Sequence, residues 1–203
     1  LKDAGGNAIF TSNGSGVLSG VNSGFGSAQV LISTETVGSA VATIDFTSGI
    51  TTTYKEYIFE FHGIKSASSD PHFEFQVNAS GQSGFNEAMT TTVFRAYNSE
   101  AGSPQLGYST GQDQVDADKV YQPIARNVTS LADETCVGEL HIFNPGSTTG
   151  VKNFFSEASN NGAYVMQTFT AGYINVTAAI TQVSFKMTSG NIAAGTIKMY
   201  GIK

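Results

Sequence analysis

The stretch 54–62, YKEYIFEFH, places Tyr57, Phe59 and Phe61 at every second position, with Glu56, Glu60 and His62 in the opposite phase. A period of two puts the rings on one face of an extended chain and the polar groups on the other, as in a half-buried antiparallel strand. The pattern recurs. In 72–77, HFEFQV, Phe73, Phe75 and Val77 oppose His72, Glu74 and Gln76; in 182–188, QVSFKMT, Val183, Phe185 and Met187 oppose Gln182, Ser184, Lys186 and Thr188. Seven further segments, 29–36, 40–46, 90–98, 135–143, 151–157, 164–173 and 195–201, are bounded by Gly, Pro, Asn, Asp or Ser clusters and read as strands. No helical spacing is sustained for three turns; single turns are expected at Asn86–Met89 and Thr129–Glu134. Ten strands with almost no helix predict an all-β, antiparallel β-sandwich. Connections of varied length favour a jelly-roll-like arrangement.

The rest of the composition narrows the function classes. The 203 residues hold ten Lys and Arg against sixteen Asp and Glu, for a formal net charge of −6. That balance offers no footprint for nucleic acid or an anionic membrane. One cysteine, Cys136, excludes an intrachain disulfide and a multi-cysteine zinc site; its place at the start of ETCVGELHIF, ahead of Leu140 and Ile142, reads as core. No apolar run approaches the roughly 20 residues of a membrane helix.

Residues 1–27 differ from the remainder. Gly recurs at 5, 6, 14, 16, 20, 24 and 26, with the apolar pairs Ile9–Phe10 and Val17–Leu18 between. Such a segment favours turns and extended chain. It is expected to be an arm or stalk connector whose short strands pair elsewhere, leaving 28–203 as one β-sandwich domain. The chain begins at Leu1 without a signal-peptide pattern, so a processed chain or a segment of a longer one is expected.

Chemistry is sparse. Asp113, Asp116 and Asp118 form the densest acidic cluster, but their spacing lacks the Gly and distal Glu of an EF-hand loop, and a solvated acidic loop is expected. The three histidines, His62, His72 and His141, have no ligand-like neighbour at i+2 or i+4 and are expected on strands near the solvent-facing phase. Neither a nucleophile elbow nor a phosphate-cradling glycine loop is present. Glu60, Glu74 and Glu139 could share a sheet face as paired carboxylates, though ordinary polar positions explain them as well. No catalytic residue, metal or cofactor is assigned. The longest connection, about Asn98 to Pro123, exceeds the usual length of a structureless loop and is the place to seek a binding surface. Tyr108, Gln112 and Asp113 are its binding candidates.

The C-terminal run QVSFKMTSGNIAAGTIKMYGIK (182–203) resembles the ending of virion fibre proteins of marine bacteriophages. So do VLISTETV (30–37), ATIDFTSGI (42–50), TTVFRAYNSE (91–100), GELHIFNPGSTTGVKNFF (138–155) and AGYINVTAAI (171–180), and 1–19 resembles the connector preceding such domains. The resemblance implies a virion-surface appendage, usually a homotrimer, contacting other virion proteins and a host glycan or protein. It supplies no site residue. The alternatives are a head-decoration or filament-forming protein whose arm pairs with neighbouring subunits, and a secreted jelly-roll lectin or glycan-active enzyme.

Overall fold

A computed structural model describes residues 1–16, 18–21 and 28–203. Fourteen strands follow in order: β1 (Thr11–Ser12), β2 (Leu18–Ser19), β3 (Gln29–Thr36), β4 (Thr43–Phe46), β5 (Glu56–Ser66), β6 (Phe73–Ala79), β7 (Met89–Ser99), β8 (Gln105–Tyr108), β9 (Gln122–Ala125), β10 (Cys136–Phe143), β11 (Lys152–Asn160), β12 (Tyr164–Ile174), β13 (Ile180–Met187) and β14 (Ile192–Ile202). No helix occurs among the described residues. The segment 86–88 is irregular and leads into β7, and 131–134 is a turn closed by Glu134 N–H to Leu131 O, so neither expected helical turn forms.

Two antiparallel sheets make the sandwich. The larger runs β3-β14-β5-β10-β11-β12-β7-β8 and the smaller β4-β13-β6-β9. The chain changes sheet at every step from β3 to β7, again from β8 to β9 and β9 to β10, and again from β12 to β13 and β13 to β14; the hairpins β7–β8 and β11–β12 both join the larger sheet. All ten expected strands form, most of them longer than their patterns suggested. The added strand β8 lies inside the stretch expected to be one long connection, and β9 begins at its end. Pro123 sits in β9, the outer strand of its sheet, where a missing N–H costs no ladder bond.

The expected alternation builds the core. Tyr57, Phe59 and Phe61 are fully buried from β5, as are Phe73, Phe75 and Val77 from β6 and Val183 and Phe185 from β13. Phe185 is the hub, with ring centroids 5.5 Å from Phe59, 5.6 Å from Phe61, 5.7 Å from Phe73 and 6.1 Å from Phe46. These offset and edge-on contacts join β4, β5, β6 and β13 across the two sheets and add to the stabilisation from burial. The last strand, β14, is held between β3 and β5, so the end of the chain is part of the sheet. Gly201 is required there: a Cβ would lie 2.2 Å from the Tyr54 ring.

One cation is sealed inside. The Lys152 ammonium, at the start of β11, donates to the carbonyls of Gly150, Val176, Thr177 and Ala178 at 2.9, 3.0, 2.8 and 2.7 Å. Burial lowers its pKa. It ties down the β12–β13 connection, whose carbonyls lack strand partners.

Among the described residues the N-terminal segment forms a short hairpin. Thr11 faces Ser19 and Ser12 faces Leu18, and the Leu1 ammonium donates to Phe10 O. The expected role of Val17, and the boundary at 27–28, involve residues 17 and 22–27, which lie outside the described residues.

Candidate functional site

Eight strands cannot all be covered by four. Toward β12, β7 and β8 the inner face of the larger sheet turns polar: Thr168 and Thr170 are buried from β12 and Thr91 from β7. The segment 109–121 closes this region and is held by glutamine side chains. Gln122 Nε2 donates to Gln112 O at 2.9 Å, and Thr91 Oγ1 donates to Gln122 Oε1 at 2.7 Å. Gln114 N–H donates to Thr91 Oγ1 at 2.7 Å, and Gln76 Nε2 to Val120 O at 2.7 Å. The segment expected to be one long loop is therefore a strand, β8, followed by a tightly bonded strap.

Between strap and sheet lies a cavity of about 280 Å³ lined by Arg95, Tyr108, Ser109, Thr110, Gln112 and Arg126, with the backbone of Gly111. Arg95 comes from β7 and faces Gly107 across the β7–β8 ladder. Directly opposed residues share a sheet face, and nothing lies within 4 Å of where a Gly107 Cβ would project. The Arg95 guanidinium stacks 5.2 Å from the Tyr97 ring centroid. Arg126 follows β9 directly; its Nη1 lies 3.4 Å from Ser109 Oγ, and its Nε is buried without a hydrogen-bond partner.

The electrostatics are one-sided. These are the only two arginines in the sequence. Among the described residues every ion pair is between His and Glu, so neither guanidinium is paired with a carboxylate. Burial and the neighbouring Arg95 hold the Arg126 pKa below its ordinary value. Burial, followed by the charges of Arg126 and Arg95, pushes the His72 pKa down. The Gln112 side-chain amide lies 2.7 Å from His72 Nε2, and Asn127 N–H approaches His72 Nδ1 at 3.5 Å. Gln112 Oε1 is buried without a partner.

Of the three binding candidates, Tyr108 and Gln112 line the cavity. Asp113 does not; its Oδ2 accepts the Tyr108 hydroxyl at 3.0 Å and so orients the ring. Arg95, Arg126 and His72 were not singled out as binding residues. Their one sequence signal was that the chain has just two arginines. His72 precedes β6 and is partly buried, which corrects its expected place on a strand.

The other expected features separate. Asp116 Oδ1 accepts from Asn175 Nδ2, and Asp118 Oδ2 accepts Val115 N–H at 3.0 Å, so these acids brace the strap. Among the described residues no group of three His, Cys, Asp or Glu is placed to hold a metal. Cys136 is buried, and burial pushes its thiol up to about 12. Glu60 and Glu139 face one another across β5 and β10, with Glu157 next in the row on β11. Glu74 lies on the smaller sheet, so the three glutamates do not share a face. Burial pushes the Glu74 carboxyl up to about 7, against the opposing pull of Lys186. His141 bridges Glu56, 2.6 Å from Nδ1, and Glu139, 3.1 Å from Nε2.

Comparison with protein-family models, curated proteins and solved structures finds no match to this chain.

Proposed function

We propose that this chain is a phage virion structural protein: a fibre-type appendage domain that assembles with copies of itself and attaches the particle to a host surface. The reading gives it no catalytic role and places it on the virion exterior. The observation that carries attachment is the gathering of both arginines at one polar cavity in a chain of net charge −6. Both guanidiniums of a chain with net negative charge are thus gathered at one point, apart from the scattered exposed lysines, which suits recognition better than general adhesion. The assembly half rests on the resemblance of the C-terminal and internal phrases to phage fibre proteins.

The jelly-roll reading is supported by strand order. The sets β3-β14-β5-β10 and β4-β13-β6-β9 have the order of an eight-stranded jelly roll, with β7–β8 and β11–β12 as two hairpin additions to one sheet.

Light scattering on the full chain at micromolar concentration tests the assembly reading. A mass three times that of the chain is expected. A monomer overturns it.

A further inference from the structure

We propose that the cavity between Arg95 and Arg126 binds the anionic group of an acidic sugar residue, a carboxylate or a phosphate ester. The host-surface origin of that sugar rests on the attachment reading above; the preference for an anion does not. Four observations converge.

The first is uncompensated charge. Two guanidiniums that each perturb their surroundings by charge, with no carboxylate on either, repel one another. An oxyanion between them converts that repulsion into two charge-assisted bonds. The second is an orphaned donor. Leaving a buried polar group without a partner costs about 1–3 kcal/mol, and the Arg126 Nε is such a group. With a small rotation that brings Nε–H to the cavity, a two-oxygen anion takes Nε–H and an Nη–H together, in the fork geometry for which Arg is suited and Lys is not.

The third is the lining. Ser109, Thr110 and Gln112 supply hydroxyl and amide groups, and no Asp or Glu lines the cavity. The far end of the Gln112 amide, which has no partner, can hydrogen-bond a sugar hydroxyl. The Tyr108 ring is 54% exposed and held by Asp113, so it offers a fixed aromatic face at the rim for sugar C–H groups. The fourth is size. About 280 Å³ lies just below the usual range of small-molecule pockets, roughly 300–1,000 Å³, and matches a single sugar unit.

Titration of the full chain by isothermal calorimetry tests this, with glucuronate, glucose 6-phosphate, glucose and inorganic phosphate as probes. The expected result is binding of one or both acidic sugars, with glucose at least tenfold weaker. Stronger binding of glucuronate assigns the carboxylate; stronger binding of glucose 6-phosphate assigns the phosphate ester. Arg126→Gln is expected to weaken binding at least tenfold, with Arg126→Lys intermediate. Gly107→Glu, which projects into open space opposite Arg95, is expected to supply an internal carboxylate and abolish binding in a folded protein. Equal affinity for glucose and the acidic sugars overturns the proposal. So does wild-type affinity in both Arg126→Gln and Gly107→Glu. Inorganic phosphate binding as tightly as either acidic sugar overturns the sugar assignment. A monomeric mass together with intact acidic-sugar binding removes the fibre reading and keeps this one.

Discussion

The two halves of the eight-stranded sheet are built from strands of similar length and alternation, yet they face different interiors. Beneath β14, β5 and β10, Ile197, Met199, Tyr57, Phe59, Phe61, Leu140 and Ile142 point inward and meet the Phe-rich small sheet. Beneath β12 and β7, Thr168, Thr170, Thr91 and Arg95 share the inward phase with Met166 and Val93 and meet a strap held by glutamines. One half is fixed by packing, which is non-directional and proportional to area. The other is fixed by hydrogen bonds, which specify position but contribute little net stability each. The lesson is a division of labour within a single sheet: stability comes from the covered half, and the overhanging half is free to hold a polar cavity.

Substitutions can break that contrast at graded strength. The largest effect is expected at Phe185. Phe185→Ala removes the hub of four aromatic contacts and should cost about 3–5 kcal/mol, read as a fall in the urea midpoint. A loss under 1 kcal/mol would show that the covered half is not the source of stability.

The next effect has the opposite sign and a pH dependence. Glu74 is buried and its folded pKa is raised from 4.5 to about 7. A raised carboxyl contributes stability that is full below the unfolded value and is lost as pH rises through the folded one. Between pH 4.5 and 7 the wild type should therefore lose stability on going up. Glu74→Gln removes the charge that must be buried, and should raise stability at pH 8 by up to about 3 kcal/mol at 1.36 kcal/mol per unit. Urea melts at pH 5 and pH 8 measure the difference, which should be much smaller at pH 5.

The smallest effect sharpens the comparison. Gln122→Leu keeps the volume of a buried side chain but leaves Thr91 Oγ–H and Gln112 O without their partner, and should cost about 1–3 kcal/mol. The matching signature is local: faster amide exchange across 109–121 than across β5, where the core is unchanged. Uniform acceleration over both halves would mean that they do not act separately.

The covered half was legible in the sequence because its signal is periodic. Phe59, Phe61, Phe73, Phe75 and Phe185 repeat at two, and period two decides both strand and face. The overhang was legible only in part. In β8, QLGY, four residues with a central glycine and no buried side chain leave no inward-facing pattern to read. In β9, QPIA, Pro123 reads as punctuation unless the strand is known to be an edge. The site was less legible still. Tyr108 and Gln112 were reachable because they lie in one conspicuous stretch, whereas Arg95 and Arg126 are separated by β8, the strap and β9. Only the pairing of β7 with β8 and of β6 with β9 brings them to one cavity, and pairing across a sandwich is not written in local spacing. Asp113 lies off the cavity lining, and its partner, a tyrosine hydroxyl five residues away, is one that composition alone does not distinguish from solvent.

Lys152 has a further consequence, one of chemical reactivity. An amine wrapped by four carbonyl oxygens is shielded from acylating reagents and from proteases that need to enclose a lysine side chain. It becomes reactive only when the 175–179 connection lifts away from β11. The residue is thus a built-in clock for that opening: its labelling rate reports how often this end of the sandwich breathes, against exposed lysines such as Lys119 that register only the reagent.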